Sequence, residues 1–209
     1  MNNYIEINEA KWQRAVHCAV FRDCVEPSYC VTFEVDVTEL RSFAKKNGLS
    51  FTMAMVYATC KCANDVEAFR YRFLDGKVVL FDSVDTAFTY LNKETNLFKV
   101  VNVPMIEDIV EYCTLAKEMA ENQEVYFTGP LGIDVFQCSP MPWIKYSHIS
   151  HTNSGKKDNA TPLFDWGRFY EKDGRWLMPF SVQVHHSFVD GVHVGEFAEK
   201  LENFLKAPR

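Results

Sequence analysis

Apolar and polar positions alternate along the N-terminal part of this 209-residue chain with the two periods that distinguish strands from helices. VTFEVDV at 31–37 alternates apolar and polar residues, as a half-buried strand does. Thr38 then begins a predicted helix, which Asn47-Gly48 ends. Ser50 is placed to cap a second helix with its own apolar stripe.

Two hairpins and two further helices are predicted downstream. The first hairpin turns at Asp75-Gly76, and a strand is predicted directly after it at 85–92. An amphipathic helix is predicted over 104–123, followed by strands over 133–139 and 143–150. The second hairpin turns at 172–174, and a helix over 192–206 closes the chain.

This mixture predicts an α/β fold, a two-layer sandwich of a mixed β-sheet with helices. The pattern contains no repeat and no Pro/Gly-rich linker, so residues 1–209 are expected to form a single domain.

Composition and charge narrow the function classes. Hydrophobic residues make up 47% of the chain and aromatic residues 14%, which excludes a disordered chain. The net charge of −6 argues against a nucleic-acid partner, which needs concentrated positive charge. The sequence has neither a run of ~20 apolar residues nor a signal-peptide pattern at its start, so a cytoplasmic protein is expected with no membrane association.

The seven cysteines are an odd number and lack the paired spacing of a zinc site. We expect reduced, buried thiols and no bound metal.

The strongest candidate for chemistry is the end of the last strand, where His185-His186 is followed by Asp190-Gly191 at the start of a helix. A neutral imidazole with a pKa near ~6.5 can accept a proton from a hydroxyl group near neutral pH. Histidines at strand ends are also often packed and purely structural. The pattern by itself leaves both interpretations open.

The segment HHSFVDG at 185–191 resembles the HHxxxDG signature of the chloramphenicol acetyltransferase family, which the dihydrolipoamide acyltransferase cores share. Trp12 and Arg14 resemble the W-x-R segment of the chloramphenicol enzymes. The segments at 81–98 and 139–143 (SPMPW) also resemble family segments, in the same order. The resemblance therefore covers essentially the whole chain.

The resemblance implies an acetyl-CoA-dependent O-acetyltransferase that is a homotrimer with its active sites at subunit interfaces. It implies that His186 is the general base, held by a bond from Nδ1 to its own backbone carbonyl, and that Ser139 stabilises the oxyanion. It further implies a structural ion pair between Asp190 and Arg14. The alternation of a strand points the side chain of His185 to the opposite face.

The resemblance also implies ligand contacts. Arg168 and Phe169 occupy the place of a CoA-binding pair, with the guanidinium facing a phosphate and the ring stacking on adenine, although an exposed Arg beside a packed Phe explains them equally well. Trp143 lies close to Ser139 in sequence and is interpreted either as a cofactor contact or as a core residue.

The acceptor half of the site departs from the family pattern. Three phenylalanines fit an aromatic wall: Phe21, Phe98 and Phe127. Four further positions map to acceptor-facing segments: Ile149, His151, Asn153 and Asp165. The last three are polar where the family is apolar or uncharged, and burying them against an apolar drug would cost several kcal/mol. The acceptor is therefore expected to be chloramphenicol or a more polar hydroxyl compound.

Two other functions fit the same fold: a stand-alone dihydrolipoamide acyltransferase core, and a trimeric binding protein without turnover. The first is disfavoured because the chain shows no lipoyl module or Ala/Pro-rich linker. The second is disfavoured because a binding module needs no base such as His186.

Overall fold

The computed structural model describes residues 2–128, 132–151, 155–156 and 158–209, which form ten β-strands and five α-helices. The strands are β1 Tyr4–Glu6, β2 Ser28–Asp36, β3 Tyr71–Leu74, β4 Lys77–Phe81, β5 Asp85–Leu91, β6 Phe98–Val103, β7 Val135–Cys138, β8 Leu163–Trp166, β9 Tyr170–Lys172 and β10 Arg175–His185. The helices are α1 Ala15–Arg22, α2 Thr38–Lys46, α3 Phe51–Asn64, α4 Ile109–Asn122 and α5 Gly191–Lys206.

The larger sheet is mixed. Its strands follow the order β2-β10-β8-β7-β5-β6, and β9 pairs with β10 outside that path. The β5–β7 and β7–β8 pairs are parallel, and the other pairs of this sheet are antiparallel. A smaller antiparallel sheet has the order β1-β4-β3. A mixed sheet combined with helices confirms the predicted α/β class.

Helices pack on one face of the larger sheet. The ring of Phe197 in α5 lies 5.3 Å from that of Phe164 in β8 and 6.0 Å from that of Phe180 in β10. Most residues of α3 are fully buried, and this helix packs against α4 and α5. The burial of these aromatic rings stabilises the packing of the helices on the sheet.

The opposite face of the same strands carries a polar row. Thr32 of β2 pairs with Ser181 of β10, which pairs with Asp165 of β8. Cys138 of β7 pairs with Phe164, so the next residue, Ser139, continues the row beside Asp165. Its backbone N–H donates to the carbonyl of Phe164 at 2.9 Å. Directly opposite residues share a face, so these four polar side chains lie on one side of the sheet.

A buried arginine links the smaller sheet to β7, the strand that precedes Ser139. Arg72 of β3 donates from Nε to the carbonyl of Ile133 at 2.7 Å and from Nη2 to that of Val135 at 3.2 Å. Burial lowers the pKa of Arg72 to about 9. The hydrogen bonds offset part of the cost of burying this side chain, and they hold β7 in place.

Most predicted elements are confirmed, including both hairpin turns, the Ser50 cap and the closing helix. The predicted strand at 143–150 is wrong: this segment has no strand. Pro140 and Pro142 lack the N–H groups that a ladder needs. Met141 between them still donates to the carbonyl of Trp166 at 2.8 Å, and no strand follows it in this segment. Helix α4 begins at Ile109 rather than at 104, because Asp108 caps it through the N–H groups of the next residues.

Three elements lack a clear sequence pattern. β1 is three exposed residues, and α1 turns valines toward solvent, so neither shows the expected apolar face. β6 alternates correctly but follows a Lys-Glu-Thr-Asn stretch that obscures its start. The seven cysteines are free thiols, and no grouping suited to a metal ion occurs within the described ranges. None of the described helices is long and apolar enough to cross a membrane.

Candidate active site at the end of the last strand

The two histidines at the end of β10 have different surroundings. His185 is buried, and its ring lies 5.4 Å from that of Phe73 and 6.0 Å from that of Phe188. Its Nδ1 accepts a hydrogen bond from the backbone N–H of Ser187 at 3.1 Å. His185 is therefore part of the packed structure beneath the turn.

His186 lies between two aromatic rings. Its imidazole stacks on Phe21 of α1 with the centroids 3.8 Å apart and the planes at 2°, and Tyr29 of β2 lies 4.8 Å away at a tilt. Its backbone N–H donates to the carbonyl of Pro27 at 2.9 Å. About a third of the side chain (35%) is exposed. The ring is thus fixed in orientation and still accessible from outside the chain.

The expected bond from His186 Nδ1 to its own carbonyl is not formed. Among the described residues, this buried nitrogen has no hydrogen-bond partner. It lies 3.1 Å from Oδ1 of Asp190, without the alignment that a hydrogen bond requires. The carbonyl of His186 instead accepts a hydrogen bond from Arg14 Nη2 at 2.9 Å. Arg14 therefore occupies the acceptor that the ring was expected to use.

Arg14 and Asp190, 176 positions apart, form a bidentate ion pair. Nη1 and Nη2 of Arg14 donate to the two carboxylate oxygens at 2.7 and 2.6 Å. Arg14 Nε also donates to the carbonyl of Ser187 at 2.7 Å. The hydrogen bonds from Arg14 lower the pKa of Asp190 to about 2. The guanidinium of Arg14 thus links His186 and Ser187, which follow β10, to Asp190, which precedes α5.

His193 completes this network on the helix side. Its Nδ1 accepts a hydrogen bond from the backbone N–H of Asp190 at 2.9 Å, in a capping box at the start of α5. Burial lowers the pKa of His193, which favours the neutral ring that this bond needs. The turn from strand to helix is therefore held at both ends.

Two clefts lie beside the larger sheet. The smaller, of about 410 Å³, is lined mainly by polar side chains of β2, β10 and the segment after β7, including Tyr29, Cys30, Gln183 and His151. The larger, of about 730 Å³, is more apolar and holds Ser139. Its other lining residues include Met53, Leu91, Phe98, Met141 and Trp143. In the sheet order, β8 with Asp165 lies between the strands that line the two clefts.

His151 and Asp165 form a buried pair. His151 Nε2 lies 2.6 Å from Asp165 Oδ2, and the carboxylate side chain is 1% exposed. Burial raises the pKa of Asp165, and the hydrogen bond with His151 offsets part of that rise. The second carboxylate oxygen, Oδ1, has no hydrogen-bond partner within the described ranges.

The remaining predicted acceptor residues are dispersed within one chain. The rings of Phe98 and Phe127 meet edge to face at 5.9 Å, and Phe98 lines the larger cleft rather than the smaller. Ile149 does not line the smaller cleft, whereas His148 and Ser150 do. Asn153 lies outside the described residues. A single chain therefore brings only part of the predicted acceptor set together.

The predicted cofactor residues lie near the larger cleft. Trp143 is exposed and lines it, so it is not a core residue. Arg168 is exposed and lies between β8 and β9 in the sequence. Its backbone N–H donates to the carbonyl of Ile144, the residue after Trp143. Phe169 already packs against Phe51 and Trp176, at 5.5 Å each.

Several site residues have no motif of their own. Tyr29 contacts His186, while Thr32, Ser181 and Gln183 face the polar side of the sheet. Their signal in the sequence was the polar half of the strand alternation, which assigns them to one face without showing that a cleft lies there.

Comparison with known proteins agrees with these motifs. The family model described as chloramphenicol acetyltransferase matches residues 1–202. Chloramphenicol acetyltransferase 2 from Escherichia coli is 28% identical, covering 98% of this chain and all of that protein. Chloramphenicol acetyltransferase 3 from Escherichia coli is 25% identical over 98% of each chain.

The solved structures show the same relationship. A chloramphenicol acetyltransferase structure superimposes with a TM-score of 0.89 at 28% identity, over 97% of this chain and 100% of that one. A probable dihydrolipoamide acetyltransferase from Listeria monocytogenes is similar in fold, with a TM-score of 0.65 at 15% identity over 97% of this chain and 93% of that one.

Proposed function

Because this chain belongs to the chloramphenicol acetyltransferase family, and is therefore an acyltransferase, we propose that it transfers the acetyl group of acetyl-CoA to a hydroxyl group of a small molecule. The observation that carries the proposal is the turn at 185–191, where Arg14 and Asp190 fix an accessible imidazole between two rings. Cytoplasm is the proposed location, since acetyl-CoA is available there.

His186 is the proposed general base. Its Nδ1 is buried beside the Asp190 carboxylate, and a negative charge 3.1 Å away favours a proton on that nitrogen. Nε2 is then the free lone pair that accepts the proton of the acceptor hydroxyl. The hydroxyl oxygen attacks the thioester carbonyl, the carbon–sulfur bond breaks, and the departing thiolate takes the proton back from the imidazolium.

Ser139 is the proposed oxyanion donor, and the register of the sheet argues that it serves a different subunit's His186. Ser139 follows β7, two strands away from β10, and lies level with Ser181 of β10. Ser181 precedes His186 by five residues. Strand spacings of ~4.8 Å and rises of ~3.3 Å per residue separate the two backbones by roughly 19 Å. A base and an oxyanion donor must contact one reacting group. The separation therefore supports sites that form between copies, in the homotrimer that the family resemblance implies.

The two clefts divide the substrates in this proposal. The larger, more apolar cleft with Ser139 and Trp143 receives acetyl-CoA. Arg168, whose backbone N–H donates to Ile144 next to Trp143, and Phe169 are proposed to contact the CoA beyond this cleft. The smaller polar cleft receives the acceptor, with Phe21 contributing its ring beside the base. β8 lies between them, and the proposed meeting point of the reacting groups is therefore near Asp165 and Ser139.

Complementation between two inactive variants tests this arrangement. His186→Ala and Ser139→Ala are each expected to lose acetyl transfer, measured as CoA release with chloramphenicol and with a panel of other hydroxyl compounds. Co-expression of both variants in one cell should restore about a quarter of the sites, because each site needs an intact His186 and an intact Ser139 from different copies. Mixing the pure homotrimers without exchange is the control.

Co-expression without recovered activity would contradict the shared site. A wild-type protein that binds acetyl-CoA but releases no CoA with any acceptor would indicate a binding protein instead. Transfer to dihydrolipoamide in preference to every hydroxyl compound would favour the dihydrolipoamide acyltransferase function.

A further inference from the structure

We infer that the buried His151–Asp165 pair recognises a hydrogen-bond donor on the acceptor, so that the acceptor is a polyhydroxylated or amino-substituted compound rather than an apolar aromatic one. The inference rests on the proposed function, because it takes the smaller cleft as the acceptor's. What it adds is the chemical class of the acceptor and the residues that select it.

The pair presents a hydrogen-bond acceptor to the cleft. His151 lines the cleft and is 20% exposed, and its Nε2 is 2.6 Å from Asp165 Oδ2. When Nε2–H donates to the carboxylate, the neutral ring keeps its lone pair on Nδ1. A hydroxyl or ammonium group of a ligand can donate to that nitrogen, whereas an aromatic ring without such a group cannot.

The surroundings of Asp165 favour this orientation of His151. Its neighbours in the polar row, Ser181 and Thr32, are hydrogen-bonded to each other at 2.7 Å. Oδ1 has no hydrogen-bond partner in the described part of the chain, so His151 is the hydrogen-bond donor seen on this carboxylate. A buried carboxylate retains its charge only with a donor, so Asp165 holds the ring with Nε2 inward.

The wall of the cleft has the same character. Side chains with hydroxyl, amide or imidazole groups line it alongside His151: Ser28, Tyr29, His148, Ser150, Asn159 and Gln183. An apolar ligand would strip water from these groups without replacing their hydrogen bonds. A ligand with several hydroxyl or amino groups replaces the lost hydrogen bonds to water, so the cleft should bind such a ligand more tightly than an apolar one.

The pair is also placed to orient the acceptor for reaction. Asp165 is level with Ser139 on the neighbouring strand, about one strand spacing (~4.8 Å) away. A group bound by His151 is therefore held beside the proposed oxyanion donor. His151 acts as a positioning and specificity residue in this inference, separate from the base.

Replacing both members of the pair tests the inference without leaving a buried charge unpaired. The double variant His151→Leu/Asp165→Thr is compared with wild type using chloramphenicol, D-glucose and D-glucosamine as acceptors. We expect the KM for chloramphenicol to fall about 10-fold, and the KM for at least one sugar to rise by about the same factor. The KM for acetyl-CoA should stay within about twofold, because the pair does not line the larger cleft. The double variant Lys117→Leu/Glu121→Thr, which replaces an exposed ion pair of α4 outside both clefts, is the matched control and should change no acceptor KM more than threefold.

The two sugars distinguish the sources of the donor: an effect on both indicates hydroxyl groups, and an effect on glucosamine alone indicates the ammonium group. A chloramphenicol KM that is unchanged or higher in the double variant would overturn the inference, as would sugar kinetics that the double variant leaves unchanged. If no acceptor is acetylated, calorimetric titration of glucosamine into both proteins separates the two failures. Weaker binding to the double variant would support the recognition site although the transferase proposal had failed. Equal binding would reject the recognition site as well as the transferase.

Discussion

Two aspartates of this chain show opposite uses of the same side chain. Asp190 is held by two hydrogen bonds from Arg14, and its pKa falls to about 2. Asp165 is more deeply buried, has one imidazole partner, and its pKa is raised by burial. The first carboxylate is fully satisfied and stabilises a turn, whereas the second retains an unsatisfied oxygen beside a cleft. Full pairing fixes a structure, and incomplete pairing leaves a group available for a ligand.

The largest expected effect separates catalysis from packing within the turn at 185–191, the region of Asp190. His186→Ala should lower kcat by about 10²–10⁴-fold, because it removes the proposed base. His185→Ala should leave kcat within about threefold and lower the melting temperature, because it removes a buried ring that packs on Phe73 and Phe188. Steady-state kinetics and thermal unfolding on both variants test this. A His186→Ala enzyme with more than a tenth of wild-type turnover would remove His186 from the mechanism.

A smaller effect is expected for the ion pair itself. Asp190→Asn and Arg14→Met should each lower the free energy of unfolding by about 2–3 kcal/mol, somewhat below the ~3–5 of a fully buried pair. The double variant should lose much less than the sum, since both residues share one interaction. Urea unfolding of the four proteins completes the cycle. Additive losses would show that the bidentate contact contributes nothing to stability.

The smallest effect is the pH dependence of the two aspartates, which should have opposite signs. The lowered pKa of Asp190 gives stability that is present above pH ~4 and is lost as pH falls toward 2, so the deficit of Asp190→Asn should shrink by about 1–2 kcal/mol on acidification. The raised pKa of Asp165 gives stability that is present below pH ~4 and is lost as pH rises. Asp165→Asn should therefore gain stability relative to wild type as the pH rises from 3.5 to 7. Urea unfolding between pH 2 and pH 7 measures both, and parallel curves would refute the contrast.

The first region was largely predictable from sequence, and the second was not. The turn at 185–191 is contiguous, and the resemblance of the W-x-R segment assigned Arg14 as the distant partner of Asp190. The bond between His186 Nδ1 and its carbonyl was wrongly expected, because the position of Arg14 Nη2 depends on the whole turn. His151 and Asp165 were named as acceptor residues, but nothing in the spacing of 14 residues showed that they would bond to each other.

The fold followed the same division. Hairpins and capped helices were predicted because their turn residues and caps are local, at Asp75-Gly76 and Ser50 for example. The segment at 143–150 was predicted as a strand from its alternation, yet it forms none, and the prolines before it lack the N–H groups that a continuing ladder needs. The polar row depends on the register between separate strands, which a single strand does not contain.

The alternation along β8 and β10 has an evolutionary consequence. Asp165 and Ser181 face the polar side of the sheet, whereas their neighbours Phe164 and Phe180 pack under α5. Selection for a new substrate can therefore act on one set of positions while purifying selection preserves the other. A lineage with this sheet can explore new acceptors by single substitutions, each testing a different preference at little risk to the inherited scaffold.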